Sequence, residues 1–355
     1  QIVNIRGGTV FYTERVPRRS LRLACLVLFS LAGASTLTGC GIVGGSSATE
    51  TPTVTPTATR TYTPTCTATP TPTETPTPAP TDTPEPTSTP EPQVIAPSGD
   101  ALAQGRTMVI SVPKDDAAGA TAIYQGRELR MTDGGDVYWT VIGAGVTQAP
   151  GTYTITINML DQRGALLREA TRTIVVTATD WPVEYITLPP GQIEGLPPAD
   201  VQRELDIRAA TFAQFTPEKL WNGPFIMPQT GPLTSNFGDA RSYNGGPVGS
   251  YHSGTDIAAD EGAPARAAAN GRVAGVGYMA TRGNSVILDH GLGVFTAYHH
   301  LSRIDVVQGQ EIARGQVIAG VGQTGLSTGP HLHWELIVNG INVDPVYWTY
   351  AGVAP

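Results

Sequence analysis

The sequence predicts a mainly β protein with an N-terminal Thr/Pro-rich tether, a small β-sandwich and a C-terminal domain built on an antiparallel sheet. Gly and Pro are abundant, at 41 and 30 of 355 residues, and charged residues make up only 15%. This composition is typical of a chain with many turns and at least one non-globular segment. Short runs that alternate apolar and polar residues indicate strands. All six histidines lie between residues 252 and 333, which places the candidate chemistry in the C-terminal domain.

The charge of the chain argues against nucleic-acid binding. Its formal net charge is −8, although residues 1–39 contain five Arg and only one Glu. Because that segment carries a net charge of +4, the remainder carries −12, with no basic patch. We therefore expect no nucleic-acid partner.

Residues 1–40 are predicted to be a lipoprotein signal segment. Four arginines precede the apolar run 23–37, as in a secretory signal, and the run is shorter than the roughly 20 residues of a membrane span. The run ends in LTGC (37–40), which resembles the lipobox of bacterial lipoproteins. The resemblance implies that Cys40 is lipidated and that the protein is anchored to a membrane, outside the cytoplasm in the cell envelope. The alternative is an uncleaved anchor helix with a chance cysteine.

Residues 41–93 are predicted to be a disordered linker. Within residues 51–92 there are eighteen Thr and twelve Pro, so the segment has too little apolar surface to offset the entropy of ordering. Polyproline-like chain rises roughly 3.1 Å per residue and would reach on the order of 130 Å here. Such a tether suits a membrane-anchored domain that acts at a distance, such as within a cell wall.

Residues 94–178 are predicted to form a small β-sandwich. Alternating runs predict strands at 107–112, 151–159 and 171–177. The stretch APGTYTITI (149–157) resembles the late strands of bacterial immunoglobulin-like domains, which implies an immunoglobulin-like fold. We expect a spacer or positioning module. Glycan binding through Tyr138 and Trp139 is the less favoured alternative.

Residues 179–222 are predicted to connect the sandwich to the last domain, residues 223–355. Residues 200–215 have a helical pattern with Asp200 as the expected cap, and residues 216–221 have the signature of a helix start. After residue 222 the pattern predicts strands and little helix. Asn339–Gly340 between two apolar runs predicts a tight hairpin.

Two histidines share one face of a predicted strand in GPHLHWEL (329–336). Alternation along a strand points His331 and His333 to the same side, and it points Leu332, Trp334 and Leu336 to the opposite, core side. Two imidazoles on one face suit a metal, or a metal ligand beside a proton-transfer group. The alternative is a solvated strand face whose histidines have no role.

A second stretch, YHSGTDIAA (251–259), supplies further ligand types. With His333, His252 and Asp256 would give two imidazoles and one carboxylate, which leave Zn²⁺ a fourth position for water. Zinc lowers the pKa of bound water from 15.7 to roughly 7, so that a nucleophile exists at neutral pH. His331 and His300 are the candidates for proton transfer.

Three motifs in order, HSGTD, YHHL (298–301) and HLH, resemble those of the lysostaphin/LytM-type zinc endopeptidases of bacterial cell walls. The resemblance covers about residues 223–350. It implies a LytM-type peptidase fold, zinc bound by His252, Asp256 and His333, and His300 and His331 as the two catalytic histidines. It also implies that the substrate is the peptide part of peptidoglycan. We expect a monomer.

Other readings of these residues stay open. Some relatives of such enzymes lack ligands and only activate other wall hydrolases, but all five residues are present here. A related metallopeptidase that trims D-amino-acid termini is disfavoured by the order of the motifs. His299 is expected on the strand face opposite to His300, and His290 is expected to make a structural hydrogen bond. Neither Tyr243 nor Tyr251 has the spacing expected of a transition-state role.

Overall fold

A computed structural model describes residues 101–189, 191 and 195–351, and the backbone of residues 93–94. The predicted signal segment 1–40, its Cys40, and the predicted linker up to residue 92 lie outside the described residues. Among the described residues, no helix has both the length and the apolar character needed to cross a membrane.

Strands dominate the described chain before its helix, in keeping with the predicted fold class. They are β1 (Gln93–Val94), β2 (Ala101–Ala103), β3 (Thr107–Pro113), β4 (Gly119–Tyr124), β5 (Arg127–Arg130), β6 (Thr132–Asp133), β7 (Val137–Gly143), β8 (Gly151–Leu160), β9 (Leu166–Thr177) and β10 (Val183–Ile186).

Helix α1 (Pro198–Phe212) follows, and the chain then returns to strands. They are β11 (Leu233–Ser235), β12 (Ala240–Tyr243), β13 (Val248–Tyr251), β14 (Thr255–Ala258), β15 (Pro264–Arg266), β16 (Gly271–Met279), β17 (Gly283–Asp289), β18 (Val294–Leu301), β19 (Arg303–Ile304), β20 (Glu311–Ile312), β21 (Val317–Gly320), β22 (His331–Val338) and β23 (Ile341–Val343). A 3₁₀ turn, Val346–Thr349, is the only further helical element of the described residues, so the expectation of little helix after residue 222 is confirmed.

Two sheets form the module that precedes the helix. One has the strand order β1-β9-β8-β4-β5, with β2 also paired to β9, and the other has the order β3-β7-β6. Both sheets contribute to one buried apolar cluster, for example Ile110 of β3 together with Ile155 and Ile174 of the larger sheet. A two-layer β module is therefore present. Its assignment as immunoglobulin-like stays a prediction.

Strand β7 belongs to two apolar cores. Tyr138 and Ile142 join the core of the two-sheet module, whereas Trp139 and Val141 join the core of the C-terminal sheets. This division follows from the alternation of side chains along a strand. Because Tyr138 and Trp139 are each only 4% exposed, the suggestion that they bind a glycan is wrong.

The C-terminal part is organised around an antiparallel sheet with the strand order β11-β14-β22-β18-β17-β16-β20, with β23 paired to β22. Two smaller sheets flank it, β15-β21-β19 and β10-β12-β13. One face of the main sheet packs on a large apolar core, to which β22 contributes Leu332, Trp334 and Leu336. The opposite face at the start of β22 is therefore left for the polar residues of that strand.

The connecting segment differs from its prediction in two details. The helix runs from Pro198 to Phe212, with Pro197 at the cap position and Asp200 inside the first turn, so Asp200 is not the cap. Proline suits the first helical turn because its fixed φ is already helical and its missing N–H would be unpaired there. Residues 216–221 form no helix. They form irregular chain that contacts the C-terminal sheet domain instead, with the Leu220 amide donating to the His290 carbonyl.

The predicted Asn339–Gly340 hairpin is confirmed. Both residues adopt the left-handed conformation, with φ of 48° and 79°, as a two-residue type I′ turn between β22 and β23 requires. The turn also contacts the preceding module, since Asn339 Nδ2 donates to the Val141 carbonyl at 2.8 Å. Nearby, a Cβ added to Gly143 would lie 2.7 Å from Val343 Cγ1, which explains why glycine occupies this close contact.

Candidate metal centre

Two neighbouring strands bring the predicted ligands together. Strands β14 and β22 pair in antiparallel register, with Asp256 directly opposite His333. Residues in such a pair share a sheet face and have Cβ atoms roughly 5 Å apart. His252 lies on the turn that enters β14 and is almost fully buried. Asp256 and His333 thus lie in contact on the polar face, although they are 77 positions apart in the chain.

Three donor atoms converge at this point. His252 Nε2 lies 2.9 Å from His333 Nδ1, and Asp256 Oδ1 lies 2.7 Å from His333 Nδ1 and 3.1 Å from His252 Nε2. Ligands at zinc distances on a tetrahedron are about 3.3 Å apart, close to these separations. His252, Asp256 and His333 are accordingly a group that could hold a metal ion. A set of two imidazoles and one carboxylate is one that zinc accepts.

The second nitrogen of each imidazole has an acceptor of its own. His252 Nδ1 lies 2.9 Å from the Asn236 carbonyl oxygen, and His333 Nε2 lies 3.0 Å from Glu335 Oε1. If these nitrogens carry the protons, the lone pairs of His252 Nε2 and His333 Nδ1 face the metal position. Burial also lowers the pKa of His252 to about 4, which keeps this imidazole in the neutral form that binds metals.

Asp256 is held in its charged form. Burial by itself raises the pKa of this carboxyl, but His252 and His333 outweigh that effect and hold the pKa well below its ordinary value. Arg241 Nη2 donates to Asp256 Oδ2 at 3.1 Å, which leaves Oδ1 directed at the two imidazoles. One carboxylate oxygen is thus anchored while the other is available to a cation.

The two predicted catalytic histidines lie side by side next to this group. The His300 and His331 ring centroids are 4.8 Å apart, and that of His300 is 5.9 Å from that of His333. The Nδ1 atoms of His300 and His331 donate to the Thr324 and Gly329 carbonyls at 2.7 and 2.8 Å. Their Nε2 atoms are therefore the ones available for proton transfer. Burial lowers the pKa of His300 to about 3.

The expectation for His299 is wrong. His299 pairs with His333 in the β18–β22 register, and its ring centroid lies 5.6 Å from that of His333, on the same side as the site. Strict alternation would then send His300 to the opposite face. His300 instead adopts a left-handed φ of 59°, which breaks the alternation and returns its ring to the site. His299 lies deeper, fully buried, with Nδ1 2.8 Å from Ser285 Oγ.

His290 has the structural role predicted for it. It is fully buried, its Nδ1 donates to the Asn270 carbonyl at 2.7 Å, and its Nε2 lies 2.7 Å from Thr296 Oγ1. Burial lowers the pKa of this imidazole to about 4, so it is neutral in the fold.

Glu335 is a nearby residue that the sequence analysis did not identify. It lies two positions after His333 on the same strand, so the alternation that united His331 and His333 also placed Glu335 on that face. It is fully buried, and burial raises the pKa of its carboxyl. Arg208 and Arg282 outweigh burial and hold that pKa well below its ordinary value.

The comparison with protein families identifies the domain that carries this arrangement. Residues 250–345 match the model of peptidase family M23. The C-terminal domain is a peptidase M23 domain. It is of the LytM type, as the motifs predicted.

Two curated relatives match the M23 domain. A protein named DD-carboxypeptidase/endopeptidase Mpg, from Neisseria meningitidis serogroup B, is 47% identical over 95 residues, which make up 27% of this chain and 22% of that protein. Peptidoglycan DD-endopeptidase ShyA of Vibrio cholerae is 42% identical over 112 residues, 32% of this chain and 26% of that protein. The chain thus spans about a quarter of the length of these relatives.

One crystal structure resembles more than the M23 domain. It comes from Pseudomonas aeruginosa, is assigned to peptidase M23, and aligns at a TM-score of 0.54 with 29% identity. The alignment covers 70% of this chain and 94% of the other. Because residues 250–345 are a much smaller share of the chain, the likeness extends to residues before the M23 domain.

Proposed function

We propose that this chain is a zinc-dependent endopeptidase that hydrolyses peptide cross-links of bacterial peptidoglycan. The observation that carries the proposal is the convergence of His252 Nε2, Asp256 Oδ1 and His333 Nδ1 on one point, beside His300 and His331. The names of the Neisseria and Vibrio relatives support the reaction class and the substrate. The presence of all five residues speaks against a regulator that only activates other hydrolases.

The proposed roles follow from the contacts of these side chains. His252, Asp256 and His333 would hold the zinc, which supplies Lewis-acid polarisation and a water of lowered pKa when bound. His300 and His331 are proposed as the proton-transfer and oxyanion-stabilising pair. Their Nδ1 atoms donate to backbone carbonyls, so each ring is fixed in orientation and its Nε2 remains available for proton transfer.

A second activity at the same site is favoured by one relative. The Neisseria protein is named both a DD-carboxypeptidase and an endopeptidase. The order of the motifs disfavoured the trimming of D-amino-acid termini, but a 47% identical domain with that name makes trimming the second candidate. Both reactions hydrolyse a peptide bond and need the same five side chains.

Digestion of purified peptidoglycan of known cross-link type separates these functions. We expect the zinc-loaded protein to convert cross-linked dimers into monomers, identified by mass spectrometry. Stem peptides that lose only their terminal residue would identify a carboxypeptidase instead. The His333→Ala variant is the matched control and should release neither product. Intact peptidoglycan after incubation with the zinc-loaded wild type would contradict the enzyme proposal.

We also propose that the protein acts in the cell envelope as a lipoprotein, with Cys40 as the lipidated residue and residues 41–93 as the tether. The proposed substrate lies outside the cytoplasm, which agrees with a secretory signal. In bacterial cells, Cys40→Ser should abolish incorporation of labelled fatty acid, while Cys66→Ser, the control, should leave it unchanged. Equal labelling of the wild type and Cys40→Ser would rule out Cys40 as the lipidation site.

A further inference from the structure

A cluster of buried charges lies directly behind His333. Glu335, whose side chain is fully buried, accepts hydrogen bonds from Arg208 Nη2 at 2.7 Å, Arg282 Nη2 at 3.0 Å and Ser253 Oγ at 2.7 Å. Its Oε1 also lies 3.0 Å from His333 Nε2. These donors fix the orientation of the Glu335 carboxylate. Because His333 Nε2 contacts this carboxylate, the imidazole ring is held with its Nδ1 towards the metal position.

Helix α1 supplies half of this cluster. Glu204 and Arg208 are four residues apart and therefore share one face of the helix. Glu204 accepts from Arg282 Nη1 at 2.6 Å, and Arg282 in turn contacts Glu335. Two guanidinium groups and two carboxylates thus alternate, and the buried charges balance.

Stability alone does not account for such a cluster. Taking ions out of water is costly, and well-packed apolar residues of similar volume often stabilise a fold equally well or better. What apolar residues would not provide is a fixed acceptor for His333 Nε2. The cluster therefore has a specific consequence for the ligand that it contacts.

The same connecting segment reaches the other two ligands through β10. This strand pairs in parallel with β12, with Glu184 opposite Arg241. Glu184 Oε2 accepts from Arg241 Nε at 3.2 Å and from Ser235 Oγ at 2.8 Å. Arg241 donates to Asp256, as described above, and Ser235 Oγ lies 2.9 Å from His252 Nδ1. Glu184 thus holds the partners of both remaining ligands.

We propose that Glu184 and Arg208, in the segment that connects the two-sheet module to the M23 domain, are positioning residues of the metal centre. Both lie outside residues 250–345, the part that matches the family. Arg208 acts on His333 through Glu335, and Glu184 acts on Asp256 through Arg241. The segment therefore orients the ligands and is not merely a spacer. The inference rests on the proposed metal site but not on the substrate.

Metal binding to the full chain tests this inference. Zinc affinity is measured by competition with a chromogenic chelator, and the visible absorption of the Co²⁺-loaded protein reports the coordination geometry. Loss of contacts behind metal ligands typically weakens affinity about 10–100-fold. We expect losses in this range, with altered Co²⁺ bands, for Arg208→Gln and Glu184→Ala. Arg208→Lys should recover part of the loss, because it restores a positive charge near Glu335.

Matched controls separate positioning from general stability. Arg203→Gln removes an exposed arginine of the same helix, and Glu311→Gln removes an exposed glutamate of β20, so both should bind zinc like the wild type. Arg208→Gln is the variant at risk of misfolding, whereas Glu184 is partly exposed and its loss leaves no large cavity. Wild-type affinity and Co²⁺ bands in Glu184→Ala, with only a lowered melting temperature in Arg208→Gln, would overturn the inference. A wild type that binds no zinc would refute the proposed function itself.

Discussion

His333→Ala is expected to lose both zinc and peptidase activity, the largest effect of any single substitution considered. His333 Nδ1 is within 2.9 Å of both other donor atoms, so its removal leaves only two ligands, which are too few for a stable site. The loss of several kcal/mol of charge stabilisation corresponds to a rate lower by on the order of 10⁴-fold. Zinc content by mass spectrometry and release of peptidoglycan monomers are the two measurements.

The full chain is the appropriate protein for this experiment. Trp139 and Val141 of the two-sheet module pack in the same core as Trp348 of the C-terminal domain, so a fragment starting at residue 223 would expose part of that core. Circular dichroism of the variant checks that the strands are retained. One equivalent of zinc and normal hydrolysis in a folded His333→Ala protein would show that the ligand assignment is wrong.

His300→Ala and His331→Ala are expected to keep the metal and lose the reaction. Neither residue belongs to the three-donor group, so zinc should remain near one equivalent. Removal of a positioned proton-transfer group typically costs about 10²–10⁴-fold in rate, and we expect a loss in this range for each variant. The pH profile of the wild type should be bell-shaped, since one group acts as a base while another acts as an acid or the zinc-bound water is ionised.

His290→Gln is the matched control for His300→Ala. His290 is another buried histidine, but its ring nitrogens contact the Asn270 carbonyl and Thr296 Oγ1 and not the site, and Gln retains a hydrogen-bonding group there. Its rate should stay within about tenfold of the wild type, below the range for general acid–base loss. Near-normal rates in both His300→Ala and His331→Ala would refute the mechanism. Zinc loss in His331→Ala together with retention in His333→Ala would mean that the two residues of HLH have exchanged roles.

Local patterns predicted the parts of the site that depend on neighbouring residues. The alternation of HLHWEL placed His331 and His333 on one face and Leu332, Trp334 and Leu336 in the core, as the structure has them. The Asn339–Gly340 turn was likewise predictable, because it depends only on the left-handed conformations of two adjacent residues. The motifs led to the M23 domain because the spacing of residues within each motif is also local.

Predictions from local patterns were wrong where an unusual backbone angle or tertiary packing determined the position of a side chain. His299 was assigned to the wrong face because no periodicity anticipates the left-handed φ of His300. Tyr138 and Trp139 resembled a glycan-binding pair, but the strand that carries them is covered on both sides by apolar cores. Asp200 was predicted to be the helix cap, but the helix begins at Pro198 and Pro197 occupies the cap position.

By itself, then, the sequence determined the mainly β class, the histidine-rich domain and the residues that could bind a metal. Only the tertiary structure decided what holds those residues in place. Arg208 reaches Glu335 across 127 positions, and Glu184 reaches Arg241 across 57. The physical reason is that side-chain periodicity extends over a few residues, whereas such contacts depend on which strands pair and where a helix packs. Buried ion pairs between distant elements therefore leave no signal in any short stretch of the chain.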